Sequence, residues 1–174
     1  MSLKAARLSG LATIGYEGAS LPAFLATLKA AGTTLLLDIR ELPISRRKGF
    51  SKTPLSQALA AAGIHYQHER ALGAPRPVRY RLREDKDLKR YFADFREYLA
   101  TQEALLDQLA RTLTGRVALL CFERNPAECH RSVVVAALAK RLKMDFLHLS
   151  VSPGDAQQAP THPRTRPRQG LPAT

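Results

Sequence analysis

The sequence predicts a three-layer α/β fold, a mainly parallel sheet of about five strands with helices on both faces. Three observations predict it. Short apolar runs alternate along the chain with segments whose apolar residues recur at helical spacing, the pattern that builds parallel sheets. Two of those runs, Thr33–Ile39 and Arg116–Phe122, have little polar alternation, as expected of strands covered on both faces. Capping residues and glycines punctuate the boundaries.

Taken in order, Ala12–Tyr16 is a short apolar strand running into the turn signal Glu17-Gly18. Ser20 caps a helix carrying Leu21, Phe24, Leu25 and Leu28 on one face, and Gly32 stops it. Thr33–Ile39 is the second strand. Thr53-Pro54 opens a second helix, with the proline at its first position, and Gly63 ends it. Ile64–His68 is a third strand, and Ala71–Arg83, with two prolines, a glycine and many arginines, reads as a loop. Leu88, Phe92, Phe95 and Leu99 mark a helical face, and Leu105, Leu106, Leu109 and Leu113 mark the next. Arg116–Phe122 is a fourth strand, Cys129–Leu142 a helix and Asp145–Leu149 a last strand. One domain is expected over residues 10–150. The segment 151–174, rich in proline and arginine with little to bury, is expected to be a disordered basic tail.

No apolar run approaches the roughly 18–20 residues of a membrane span, and the N-terminus has no signal-peptide pattern. Cytoplasmic localisation with no membrane partner is therefore the expectation. Two cysteines are too few for a disulfide framework. The formal charge of +12 favours anionic partners. It is concentrated in Arg40–Lys52, with Arg40, Arg46, Arg47, Lys48 and Lys52 against Glu41 alone, and in Arg70–Arg83, which has five arginines and no acid. Such runs also serve simply as solvated, solubilising faces.

Ligands of open parallel sheets collect beyond the carboxyl ends of the strands, near a switch point in strand order. Tyr16, Glu17 and Gly18 follow the first strand; Asp38, Arg40, Ser45, Arg46 and Arg47 follow the second. Glu123, Cys129, His130 and Arg131 follow the fourth. A parallel sheet would bring these clusters to one rim. Arg40, Arg46, Arg47 and Arg131 are candidate anion holders. Cys129 at a helix start, with His130 and Arg131 beside it, invites a thiol pKa below its usual value of about 8.5 and hence a nucleophile. It can equally be a small packed residue. Glu123 is either a general base or the partner of Arg40 or Arg131. Tyr16 either stacks on a ligand ring or packs, and Asp38 caps a loop or orients Arg40. His68, beside the third strand, is within reach of the rim. Cys121, Glu123, Cys129 and His130 are metal-ligand types, but their spacing matches no common zinc motif and Cys121 reads as turned into the core. No metal and no cofactor are expected.

The chain resembles the domain-of-unknown-function family 488 (DUF488). The resemblance rests on Thr13-Ile14-Gly15-Tyr16-Glu17-Gly18, on Leu37-Asp38-Ile39-Arg40 with Pro43, Ser45 and Gly49-Phe50-Ser51, and on Leu72-Gly73. Cys121-Phe122-Glu123, Pro126 and Cys129-His130-Arg131 complete it, over about residues 12–150. Phe122 stands where a small residue is expected in many members. The resemblance supports an α/β fold and brings no activity, substrate or cofactor.

Three functions remain open. The first is binding or processing of a phosphate-bearing ligand, a nucleotide or nucleic acid, with Tyr16 or Tyr80 stacking on a base; the aromatic content of 6% stands against it. The second is a cysteine-dependent transferase or hydrolase with Cys129 as nucleophile, Glu123 or His130 as base and Arg131 as anion clamp. The third is a non-catalytic interaction domain.

Overall fold

A computed structural model describes residues 7–152. Its strands are β1 (Leu8–Gly15), β2 (Leu35–Asp38), β3 (His65–His68), β4 (Gly115–Cys121) and β5 (Leu147–Leu149). Its helices are α1 (Leu21–Ala30), α2 (Lys52–Ala61), α3 (Arg76–Asp85), α4 (Leu88–Ala100), α5 (Glu103–Thr112) and α6 (Arg131–Leu142). The strands form one sheet in the order β3-β2-β4-β1-β5, every pair parallel. No helix among the described residues is long and apolar enough to cross a membrane.

The strand period of two sorts the core into halves. Leu11 of β1, Leu37 of β2, and Val117 and Leu119 of β4 face α4, α5 and α6. Ile14, Leu36, Ala118 and Leu120 face the other way, packing with Phe24 and Leu28 of α1 and Leu55 and Leu59 of α2. This is the expected three-layer arrangement. The connections after β1 and β2 leave toward one face, and the connection after β4 leaves toward the other. Since β4 lies between β1 and β2, a crevice opens where its carboxyl end meets theirs.

Several local expectations are corrected. The segment read as a loop over Ala71–Arg83 contains a 3-10 turn at Arg70–Leu72 and helix α3. Both prolines, Pro75 and Pro77, sit at its start, where a missing N–H is harmless. None of its residues is fully buried, so it shows little apolar periodicity; Val78 and Leu82 anchor it against the core. Helix α2 begins before Thr53, with Ser51 in the cap position, so Pro54 is not its first residue. Helix α6 begins at Arg131, not at Cys129; a 3-10 turn at Pro126–Glu128 and an extended Cys129 precede it. Ser20 caps α1 as expected by accepting from the Ala23 N–H, and Gly32 and Gly63 end their helices at positive φ. Val151 is buried in the core; what was expected of the tail beyond 152 lies outside the described residues.

Candidate functional site

Two buried arginines organise the strand ends. Asp38, the last residue of β2, is fully buried. It accepts from Arg40 Nε (2.9 Å) and Nη2 (2.6 Å), from the Arg40 backbone N–H (3.1 Å) and from the Tyr66 hydroxyl (2.6 Å). Nη1 of Arg40 donates to the Phe50 carbonyl (2.7 Å) and the Tyr16 hydroxyl (3.2 Å). Burial alone would lower the Arg40 pKa, but bonding to Asp38 and Tyr16 outweighs it, so the guanidinium is held charged. Burial and then the Asp38 carboxylate raise the Tyr66 pKa, keeping that phenol a donor. Asp38 thus orients Arg40. His68 closes the same corner, its Nε2 donating to the Arg40 carbonyl at 2.8 Å.

Arg131 behaves differently. Expected at the rim as an anion holder, it is completely buried in the first turn of α6. Its Nε donates to Thr13 Oγ1 (3.1 Å), Nη1 to the Glu123 carbonyl and Nη2 to the Arg124 carbonyl (3.2 Å). Its donors therefore fasten the loop after β4 to β1. Glycine at position 15 permits this, because a Cβ there would overlap the Glu123 carbonyl oxygen and crowd Arg131 Nη1. Glu17 ties the same loop from the other side: its N–H donates to the Phe122 carbonyl (2.8 Å), and its carboxylate accepts from the Arg124 N–H (2.9 Å). The Glu123 carboxylate pairs with neither Arg40 nor Arg131; it accepts from Cys121 Sγ at 3.1 Å.

Cys121, Cys129 and His130 converge although their spacing matches no common motif. Cys121 ends β4 on the face that α6 covers, the same face as Val117 and Leu119; it is buried, as expected, and also borders a cleft. His130 Nδ1 is 3.5 Å from Cys121 Sγ and 3.9 Å from Cys129 Sγ. Its Nε2 faces the Ile39 carbonyl at 3.0 Å, which can only accept, so that nitrogen carries the proton. Cys129 is fully buried and accepts the Arg131 N–H on sulfur at 3.4 Å. Burial pushes both thiols up, Cys129 well above the ordinary cysteine value. This is the reverse of the lowering expected from a helix start, and it removes the physical basis for an exposed, activated Cys129 nucleophile.

The crevice beside β4 is a cleft of about 780 Å³. Its floor holds Arg40, Tyr91, Cys121, Glu123 and His130, and its walls include Tyr16, Glu17, Ser45, Arg46 and Arg47, so most of the expected rim residues do meet. Cys129 and Arg131 lie behind it. Ser45 shapes one wall: its hydroxyl accepts from the Arg47 N–H, and its N–H donates to Ser51 Oγ, each at 3.0 Å. Tyr16 is buried, stacked on Phe50 at 4.5 Å, with Phe122 edge-on at 5.3 Å, so it packs instead of offering a free ring face. Residues that the sequence did not single out complete the cleft. Helix α3 supplies Arg79, Leu82 and Arg83, and α4 supplies Tyr91, whose pKa is raised by burial and by nearby Glu123. Arg79 pairs with Glu41, whereas Arg46, Arg47 and Arg83 have no carboxylate partner among the described residues. A basic surface flanks α3, where Tyr80 lies between the guanidinium groups of Arg76 and Arg83, 4.8 and 5.2 Å from its ring centre.

Among known proteins, no curated protein and no solved structure matches this chain. A family model, Domain of unknown function DUF488, matches residues 20–138. That span takes in Asp38, Arg40, Ser45, Cys121, Glu123, Cys129, His130 and Arg131, and the chain belongs to the DUF488 family.

Proposed function

We propose that the cleft binds a nucleotide, free or as the end of a nucleic-acid strand. One observation carries this reading: the cleft joins exposed apolar surface to arginines that lack carboxylate partners. Among the described residues, three of the six large exposed apolar ones, Leu42 (48%), Ile44 (75%) and Phe122 (45%), line it. Arg46, Arg47 and Arg83 line it as well. Apolar side chains gathered around a concavity with a few polar groups are the common lining of ligand sites. Beside guanidinium groups without carboxylate partners, of which Arg47 also donates to the Ala19 carbonyl, it suits a ligand with one flat apolar part and one phosphate part. The volume falls within the roughly 300–1,000 Å³ range of small-molecule sites. Arg40 helps to shape the floor and adds no net charge to it, since Asp38 neutralises it and occupies its best donors.

Thermal melts with mononucleotides, short oligonucleotides and inorganic phosphate test the reading. A mononucleotide at a hundred times its dissociation constant should stabilise the fold by about 2.7 kcal/mol. The stabilisation should fall sharply in Arg46→Ala/Arg83→Ala and in Phe122→Ala, and inorganic phosphate alone should bind more weakly. Stabilisation that survives both variants, or that comes equally from phosphate, would place the anion elsewhere and defeat the proposal. A shift by oligonucleotides alone, steeply weakened by salt and indifferent to Phe122, would point to the α3 face.

A further inference from the structure

We propose that Cys121, Cys129 and His130 form a thiolate–imidazole site for a zinc-class divalent ion at the floor of the cleft, with its fourth position open toward Glu123. This stands independently of the nucleotide reading, because none of the three residues is asked to touch the nucleotide.

Geometry carries the argument. The two sulfurs and the imidazole nitrogen all lie within 4.8 Å of one another and all three residues are buried. A tetrahedral ion with bonds of about 2.3 Å to sulfur and about 2.0–2.1 Å to nitrogen holds those atoms roughly 3.6 Å apart. The separations from His130 Nδ1, 3.5 Å to Cys121 Sγ and 3.9 Å to Cys129 Sγ, already match that spacing. Two of the three ligand separations thus stand near the metal-bound spacing, and the two sulfurs, within 4.8 Å of each other, need to close by at most about 1 Å.

The surroundings are those of a ligand set. The protonated Nε2 of His130 donates to the Ile39 carbonyl, which leaves the Nδ1 lone pair aimed at the sulfurs. Metal-bound histidines almost always make such an outer bond. The Phe95 ring packs edge-on against the imidazole at 5.1 Å and fixes its plane. The Arg131 N–H at 3.4 Å from Cys129 Sγ is the kind of donor that stabilises a bound thiolate. Two sulfurs and one imidazole favour zinc over magnesium or calcium, which demand oxygen. Three protein ligands with a fourth position accessible from a cleft are the pattern of reactive zinc sites, whereas structural ones are closed. Cys121 and His130 line the cleft, and the Glu123 carboxylate lies 3.1 Å from Cys121 Sγ, at the edge of that fourth position.

The fully reduced whole chain should be titrated with cobalt(II), a spectroscopic substitute for zinc, and the product assayed for metal per chain. The expected result is one ion per chain, intense tetrahedral ligand-field bands in the visible, a sulfur-to-cobalt charge-transfer band and displacement by zinc. Cys121→Ser and His130→Ala should each weaken binding by at least about 100-fold. If Cys129→Ser or His130→Ala fails to fold, Cys121→Ser, altered at the cleft side, carries the test with its fold checked by circular dichroism. Weak octahedral bands, bands that persist in Cys121→Ser, or substoichiometric binding by the reduced protein would overturn the proposal. So would a Cys121–Cys129 disulfide forming with no metal uptake once reduced.

Discussion

The two buried arginines at the strand ends, Arg40 and Arg131, look alike in sequence and are used in opposite ways. Arg40 is held by a carboxylate and lines the cleft. Arg131 meets no carboxylate; a threonine hydroxyl and two loop carbonyls take its donors, and it lies wholly behind the cleft wall. The carbonyls spread the uncompensated charge of Arg131 over a loop that must be held in place, whereas Asp38 neutralises Arg40 beside the cleft. A buried arginine fastened by carbonyls is thus a strut. One fastened by a carboxylate at the wall of a cavity is half of a neutral pair that fixes the shape of that wall.

The largest expected effect lies on the Arg40 side. Replacing Asp38 by alanine strands a buried guanidinium and unpairs the Tyr66 hydroxyl. A loss of about 3–5 kcal/mol is expected in urea unfolding. A loss below about 1 kcal/mol would mean that Arg40 escapes into the cleft and finds water there. The contrast between the two arginines would then rest on access to solvent and not on the carboxylate.

Arg131→Met should cost less, about 1–3 kcal/mol, because the partners left behind are neutral and the Glu123 and Arg124 carbonyls border a surface loop that water can reach. The second consequence should be local: faster amide exchange over residues 122–130, with little change around Asp38. Equal loosening of both corners would show that the arginines act as one network and would break the comparison.

Much of this was legible in the sequence, for reasons that particular residues make clear. Val117-Ala118-Leu119-Leu120, short, apolar and introduced by Gly115, reads as a strand buried on both faces, and Ser20, Gly32 and Gly63 carry their capping chemistry openly. The convergence of Tyr16, Arg40 and Glu123 follows from parallel topology alone. Helix α3 was hidden because an exposed helix beginning with prolines and dense in arginine has almost no apolar stripe to read. Arg131 was misread because a helix start with adjacent basic residues suggests an anion, and sequence cannot show that the chain's own carbonyls fold back onto it. The meeting of Cys121 with Cys129 and His130 was missed by comparing spacings with compact motifs. Strand parity held the clue, since Cys121 shares a face with Val117 and Leu119, the face on which α6 packs.

The smallest expected effect tests how far the Arg131 strut reaches. Thr13 Oγ1 accepts from Arg131 and shares a hydrogen bond with His148 Nδ1, 2.6 Å away at the β5 edge. Partial burial and then the Arg131 charge lower the His148 pKa from its ordinary value of 6.5. The folded state therefore binds this proton less readily than the unfolded chain. Its contribution to stability is complete above pH 6.5 and is lost as pH falls from there through the lowered folded value. Because His148 is exposed to solvent, the effect should be a slight extra loss of melting temperature in acid, visible as a difference between wild type and His148→Gln. In Arg131→Met the same difference should shrink, since the charge that helps depress the imidazole is gone. An unchanged difference would assign the shift to burial alone and confine the strut to the loop between Glu123 and Arg131.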